Sequence, residues 1–254
     1  MAWSFGKAAA VLGLGLFGVA VFAAGAYRFG WLGGPSQDLT RCLNQDRRFT
    51  PDESIENCTA AIAGTESSKP QATALRGRAI AYEAKREYYS AIDDLNEAIR
   101  LDRSSAAAFA NRGNAYRALG EVNSALADYS EALRLDPRLA VTLLARGDLY
   151  RAQGNLDRAI ADYDGAIRLN PNEAANFNNR GLAYRQKGES DRAMADFEEA
   201  MRLNPRLAET FFNRGLSYAQ KATTIRRSRI TTKLSGCGPR SRPRFNIAAP
   251  HTGR

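Results

Sequence analysis

Residues Ala106–Leu139, AAAFANRGNAYRALGEVNSALADYSEALRLDPRL, return 34 positions later as AVTLLARGDLYRAQGNLDRAIADYDGAIRLNPNE (Ala140–Glu173). They return again as AANFNNRGLAYRQKGESDRAMADFEEAMRLNPRL (Ala174–Leu207). A looser copy, QATALRGRAIAYEAKREYYSAIDDLNEAIRLDRS (Gln71–Ser104), comes before them, and AETFFNRGLSYAQK opens a fifth at Ala208. Self-similarity at a fixed period marks a stacked supersecondary unit that cannot bury its own apolar side alone.

Each recurring column has a physical reason. Gly120, Gly154 and Gly188 fall where a first helix must end in a left-handed turn. Pro137, Pro171 and Pro205 stop a second helix. Gly113, Gly147, Gly181 and Gly215, with Ala79 in the first copy, remove bulk where two helices cross, and Ala91, Ala125, Ala159 and Ala193 do the same from the second helix. Phe109, Leu143, Phe177 and Phe211 fill space between repeats, and Tyr82, Tyr116, Tyr150, Tyr184 and Tyr218 supply large apolar surface with a polar tip. Leu95, Tyr129, Tyr163 and Phe197 pack back onto the first helix. Arg78, Arg112, Arg146, Arg180 and Arg214 form one more column, answered in the second helix by Asp94, Asp128, Asp162 and Asp196. These predict Arg–Asp pairs inside each repeat, with the arginine stems packed. The first copy departs at Arg86, where the turn glycine belongs, and at Arg103, where the proline belongs, as a terminal capping unit would.

Over residues 72–221 these columns resemble the tetratricopeptide repeat. The resemblance implies an all-α fold, a right-handed superhelical solenoid of helix hairpins, with a concave groove that takes a segment of a protein partner. First helices line that groove in the family. The matching positions here are Asn114, Arg117, Asp148, Arg151, Asn178, Leu182, Arg185, Gln186, Phe212 and Leu216. Arg117, Arg151 and Arg185 recur once per repeat, a positive ladder suited to an acidic segment or a C-terminal carboxylate.

The flanks read differently. Ala8–Tyr27 is 20 residues without a charge between Lys7 and Arg28, long enough to cross a bilayer and ending in a small-x-small pattern. Residues 1–34 are therefore expected to be a signal peptide or an N-terminal membrane anchor, placing the repeats in the periplasm or facing it. Residues 35–70 read as two short helices broken at Thr50–Pro51, a degenerate half-repeat that caps the array. Folded as a hairpin they bring Cys42 near Cys58, and beyond an export signal such a pair is expected to form a disulfide.

The net charge of +9 is nearly all at the C-terminal end. Of 36 Lys and Arg, eight lie in residues 222–254, where no Asp or Glu occurs, so residues 1–221 carry only +1. This tail, expected to be disordered, is the basis of the alternative reading, binding of nucleic acid or another polyanion. A different origin fits it better. Back-translated with suitable synonymous codons, and with one base inserted after Lys221, the tail rereads KGDYDPAIADYDKAIRLRP, the missing second half of the fifth repeat. The period returns at Phe245, 34 residues after Phe211. A second restored base after Asn246 gives NRGTAYRA, the opening of a sixth repeat. The tail thus reads as a frameshifted stretch, in which Cys237 and His251 are accidents. Residues 71–221 offer no histidine, no phosphate-cradling loop and no nucleophile–base pair, so no enzymatic activity, cofactor or metal is expected.

Overall fold

The computed structural model describes residues 35–43 and 48–236, with side chains described over 39–43 and 48–226. The hydrophobic run Ala8–Tyr27, Cys237 and His251 lie outside the described residues, and so does the expectation of a signal or anchor. Among the described residues every regular element is a helix, and there are eleven. They are α1 (Pro35–Leu43), α2 (Pro51–Ala63), α3 (Ser68–Ala84), α4 (Tyr88–Leu101), α5 (Ala106–Ala118) and α6 (Val122–Leu135). There follow α7 (Ala140–Ala152), α8 (Leu156–Leu169), α9 (Ala174–Lys187), α10 (Ser190–Leu203) and α11 (Ala208–Gly236). No described helix is long and apolar enough to cross a membrane. The chain divides into two compact units, Met1–Thr142 and Leu143–Arg254.

In the N-terminal unit α3 pairs with α4 and α5 with α6, and α4 packs on α5. The core beneath them is made of small and branched residues: Ala72, Leu75, Ala79, Ala91, Leu95, Ala98 and Ala108. Methyl-sized side chains at the crossings let the helices approach closely, so van der Waals contact replaces bulk as the source of cohesion. The hairpin α1–α2 covers the free side of α3. Thr50 opens α2 with a reciprocal capping box: its hydroxyl accepts from the Glu53 amide, and the Glu53 carboxylate accepts from the Thr50 amide at 2.7 Å. Cys42 and Cys58 are joined by a buried disulfide that rests on Gly77 of α3, where a Cβ would stand 2.8 Å from Cys42 Sγ.

The C-terminal unit repeats the plan with α7–α8 and α9–α10, and α11 lies against α10. Gly147 faces the ring of Tyr163 and Gly181 faces that of Phe197, as Gly113 faces Tyr129 in the other unit. A Cβ at any of these glycines would lie 2.7–2.9 Å from the ring, which fixes glycine at the crossing. Between helices, Gly120, Gly154 and Gly188 take φ of 79°, 78° and 87°. Arg86 takes the same left-handed turn at φ 62°, so the first copy keeps the geometry without the residue that makes it easy.

Residues 222–236 continue α11, which is a single helix of 29 residues. The cause is local. Ala222 stands where earlier repeats have their turn glycine, and no Gly or Pro interrupts the chain until Gly236. The Thr223 and Thr224 hydroxyls donate back to the Ala219 and Gln220 carbonyls at 2.9 and 3.0 Å, holding these weak helix formers in place.

Candidate functional site

Four arginines fix the helix pairs before any surface is offered to a partner. Arg78, Arg112, Arg146 and Arg180 each grip both oxygens of Asp94, Asp128, Asp162 and Asp196 through Nε and Nη2, at 2.7–2.9 Å. The side chains are about 20 % exposed on the arginine and 8–10 % on the aspartate. The aspartate hydrogen bond raises each guanidinium further above its ordinary value, against the opposing effect of burial. Nη1 reaches further back: Arg112 donates to Asn96 of α4 at 2.7 Å, and Arg180 to Asp164 of α8 at 2.6 Å. One side chain thus ties three helices, and the column is structural.

The first-helix faces carry the candidate site. In the N-terminal unit the Tyr129 hydroxyl donates to Asn114 Oδ1 at 2.7 Å. In the C-terminal unit the Tyr163 hydroxyl donates to Asp148 Oδ1 at 2.7 Å, and burial, with the carboxylate second, pushes that phenol up. The next repeat has Phe197, which has no hydroxyl, and Leu182 stands in the Asp148 position. In the first copy Leu95 goes with Ile80. A polar acceptor accompanies tyrosine and an aliphatic residue accompanies phenylalanine or leucine, always 15 residues apart. Asn114 and Asp148 therefore anchor the helix pair as well as facing outward.

Arg151 leans on the same cluster, with Nε 3.4 Å from the Tyr163 hydroxyl and Nη2 4.0 Å from Asp148. Arg117 is exposed. Arg185 is half-buried, and its Nη1 is enclosed with no acceptor among the described residues. On the same helix Leu182 is half-buried and Gln186 exposed, and on the adjoining α11 Leu216 is 41 % exposed. The Gln220 amide donates to the Arg185 carbonyl at 3.3 Å, so these two helices meet at this point.

Asn178 is not part of the open face. It is 2 % exposed and lies under α11, where its Oδ1 accepts from Thr210 and Asn213 and its Nδ2 donates to Glu209. Its column faces the following first helix. Phe212, the next residue in that column, is 67 % exposed, with no helix over it among the described residues.

One residue on this face escaped the sequence reading. Glu83 occupies the column of Arg117, Arg151 and Arg185, one repeat earlier. Its Oε1 is buried without a partner, and burial pushes its carboxyl up to about 7 against the pull of Arg117. The sign change within one column was the available signal. Lysines at the ends of first helices form a second missed pattern: Lys187 pairs with Asp157, and Lys221 with Asp191, on the preceding second helix.

The chain resembles known families and structures along the same stretch. A family described as TPR repeat matches residues 147–188 and 181–221, and one described as Tetratricopeptide repeat matches 106–139. No curated protein sequence matches the chain. Among solved structures, MamA aligns at TM-score 0.56 and 24 % identity, covering 63 % of this chain and 91 % of MamA. YrrB, described as a TPR protein with an unusual peptide-binding site, aligns at TM-score 0.55 and 22 % identity, covering 64 % and 82 %. A tetratricopeptide repeat protein from Parabacteroides merdae aligns at TM-score 0.62 and 18 % identity, covering 80 % and 79 %.

Proposed function

We propose that this tetratricopeptide repeat protein is a non-enzymatic scaffold that captures a protein segment ending in a free carboxylate on the first-helix face of its C-terminal unit. The observation that carries the reading is Arg185. Its guanidinium has an enclosed Nη1 without an acceptor among the described residues, with half-buried Leu182 one turn earlier on α9 and exposed Leu216 in the matching position of α11. A carboxylate would give that donor its missing acceptor, in a partly dehydrated place where a charge-assisted hydrogen bond is strong. An apolar last side chain would cover Leu182 and Leu216. Arg151 extends the positive character to the preceding repeat of the same unit, and an acidic residue upstream in the partner would answer it.

The proposal extends to the compartment. A buried Cys42–Cys58 bond suits an oxidising environment, and the uncharged run Ala8–Tyr27 suits export or anchoring. We place the scaffold in the envelope, on the outer side of the membrane that its N-terminal segment enters or crosses. The basic tail supports the second reading, polyanion binding, less well, because its stretch to Gly236 continues the last repeat helix.

Fluorescent peptides of varied sequence, each made with a free C-terminus and again as the amide, test the function. The expected result is binding by a subset of free-carboxylate peptides, with affinity reduced tenfold or more by amidation and by Arg185→Glu. Equal binding of acid and amide forms would remove the carboxylate reading. Salt-dependent DNA binding lost on removing residues 222–254 would favour the alternative.

A further inference from the structure

A second surface, distinct from the Arg185 face, lies on α11. In every earlier repeat the first helix is closed by its own second helix, and two contacts define that closure. An aspartate takes the arginine of the first helix, and the aromatic or leucine beside it covers the glycine or alanine that follows the arginine. In α11 the same positions stand open. Arg214 has no carboxylate among the described residues; its guanidinium lies over the Tyr218 ring at 6.0 Å. Gly215 is exposed, and a Cβ placed on it would meet nothing within 4 Å, whereas one on Gly113, Gly147 or Gly181 would collide with a ring. Phe211 and Tyr218 are 48 % and 51 % exposed, although their counterparts in the preceding repeats are half-buried.

We infer that this face of α11 is a docking site for a helix supplied by another protein, with Asp followed by Tyr or Phe at its centre. The four internal repeats specify that chemistry, since each solves the same packing problem with Asp-Leu, Asp-Tyr or Asp-Phe. A helix of about 14 residues, near 21 Å, has the length of the second helices α4, α6, α8 and α10. Its aspartate would take Arg214 Nε and Nη2, and its ring would settle on Gly215 between Phe211 and Tyr218. The binding helix would thus take the place of a second helix that the described residues do not supply for α11.

A synthetic peptide with the sequence of residues 155–170, NLDRAIADYDGAIRLN, is the probe, titrated into the full chain and followed by fluorescence anisotropy and peptide helicity. The expected result is saturable binding with a gain of helix. It weakens at least tenfold for the chain variant Arg214→Glu and for the peptide variant Asp162→Lys, and is restored in part when those two variants are combined. Gly215→Leu, which fills the seat without removing charge, abolishes it; the same variant tests the site if Arg214→Glu disturbs folding. Arg185→Glu leaves it unchanged, which separates this site from the carboxylate face. Absence of binding, or equal binding to the Gly215→Leu chain, overturns the proposal. So does self-association of the chain through α11 that excludes the peptide.

Discussion

Arg112 holds Asp128 with two parallel hydrogen bonds, Nε to Oδ2 and Nη2 to Oδ1, both at 2.8 Å, and its third nitrogen reaches Asn96 of the preceding helix at 2.7 Å. The aspartate is 8 % exposed, so removing the arginine strands a carboxylate that water reaches poorly. Arg112→Ala is expected to destabilise the chain by about 2–4 kcal/mol. The exposed pair Arg134–Glu131 has equally short bonds, yet Arg134→Ala is expected to leave stability almost unchanged, because water screens the pair. Urea unfolding of both variants measures the contrast; similar midpoints would show that burial does not set the strength of these pairs.

The Tyr163 hydroxyl and the Asp148 carboxylate form a matched set that the next repeat replaces with Phe197 and Leu182. Tyr163→Phe alone and Asp148→Leu alone are each expected to destabilise, by about 1–2 kcal/mol. The double variant recreates a pairing the chain already uses and is expected to recover part of the sum. A double-mutant cycle with a coupling energy near zero would show that the pairing has no energetic content.

Arg86 occupies a left-handed turn at φ 62° that three other repeats assign to glycine. Arg86→Gly is expected to raise stability by about 0.5–1 kcal/mol, despite the added freedom of the unfolded chain. The measurement is the urea or thermal midpoint, and a fall in stability would mean that Arg86 makes up for its backbone elsewhere.

Glu83 introduces a pH dependence of the less common sign. Its carboxyl titrates at about 7 in the folded chain, above the ordinary 4.5, because burial disfavours the charged form more than Arg117 favours it. Between those values the folded state holds a proton that the unfolded state has released. The Glu83 contribution is therefore fully present below about pH 4.5 and is lost as pH rises through about 7. It amounts to about 1–3 kcal/mol, reduced by partial solvent access. Glu83→Gln is expected to flatten this part of the stability profile. Urea midpoints for both chains at pH 5 and pH 7.5 check it, and identical differences in the two would contradict it.

Much of the fold was legible because the packing is local and repeated. One glycine under one ring, one arginine on one aspartate, and a left-handed turn recur at fixed spacing, so each column could be read against its copies. The same regularity misled at Asn178. Its column looks like a face when a repeat is read alone, but the next first helix covers it, and that contact spans 31–35 residues of sequence. The length of α11 has a local signal that tail composition hides: Ala222 stands in place of the turn glycine, so the helix continues to Gly236. Glu83 was overlooked because one acid in a column of arginines reads as surface variation until its burial is known.

The central claim is that each first helix from α3 to α9 is shielded by its own second helix, and that among the described residues α11 lacks this cover. Amide hydrogen exchange across the full chain tests it most directly. The account predicts cooperative protection of α3–α6 and of α7–α10, faster exchange over residues 208–226, and a rise in protection there when the 155–170 peptide is added. Protection of residues 208–226 equal to that of α9 in the free chain, or coil-like exchange over the repeats, would contradict it.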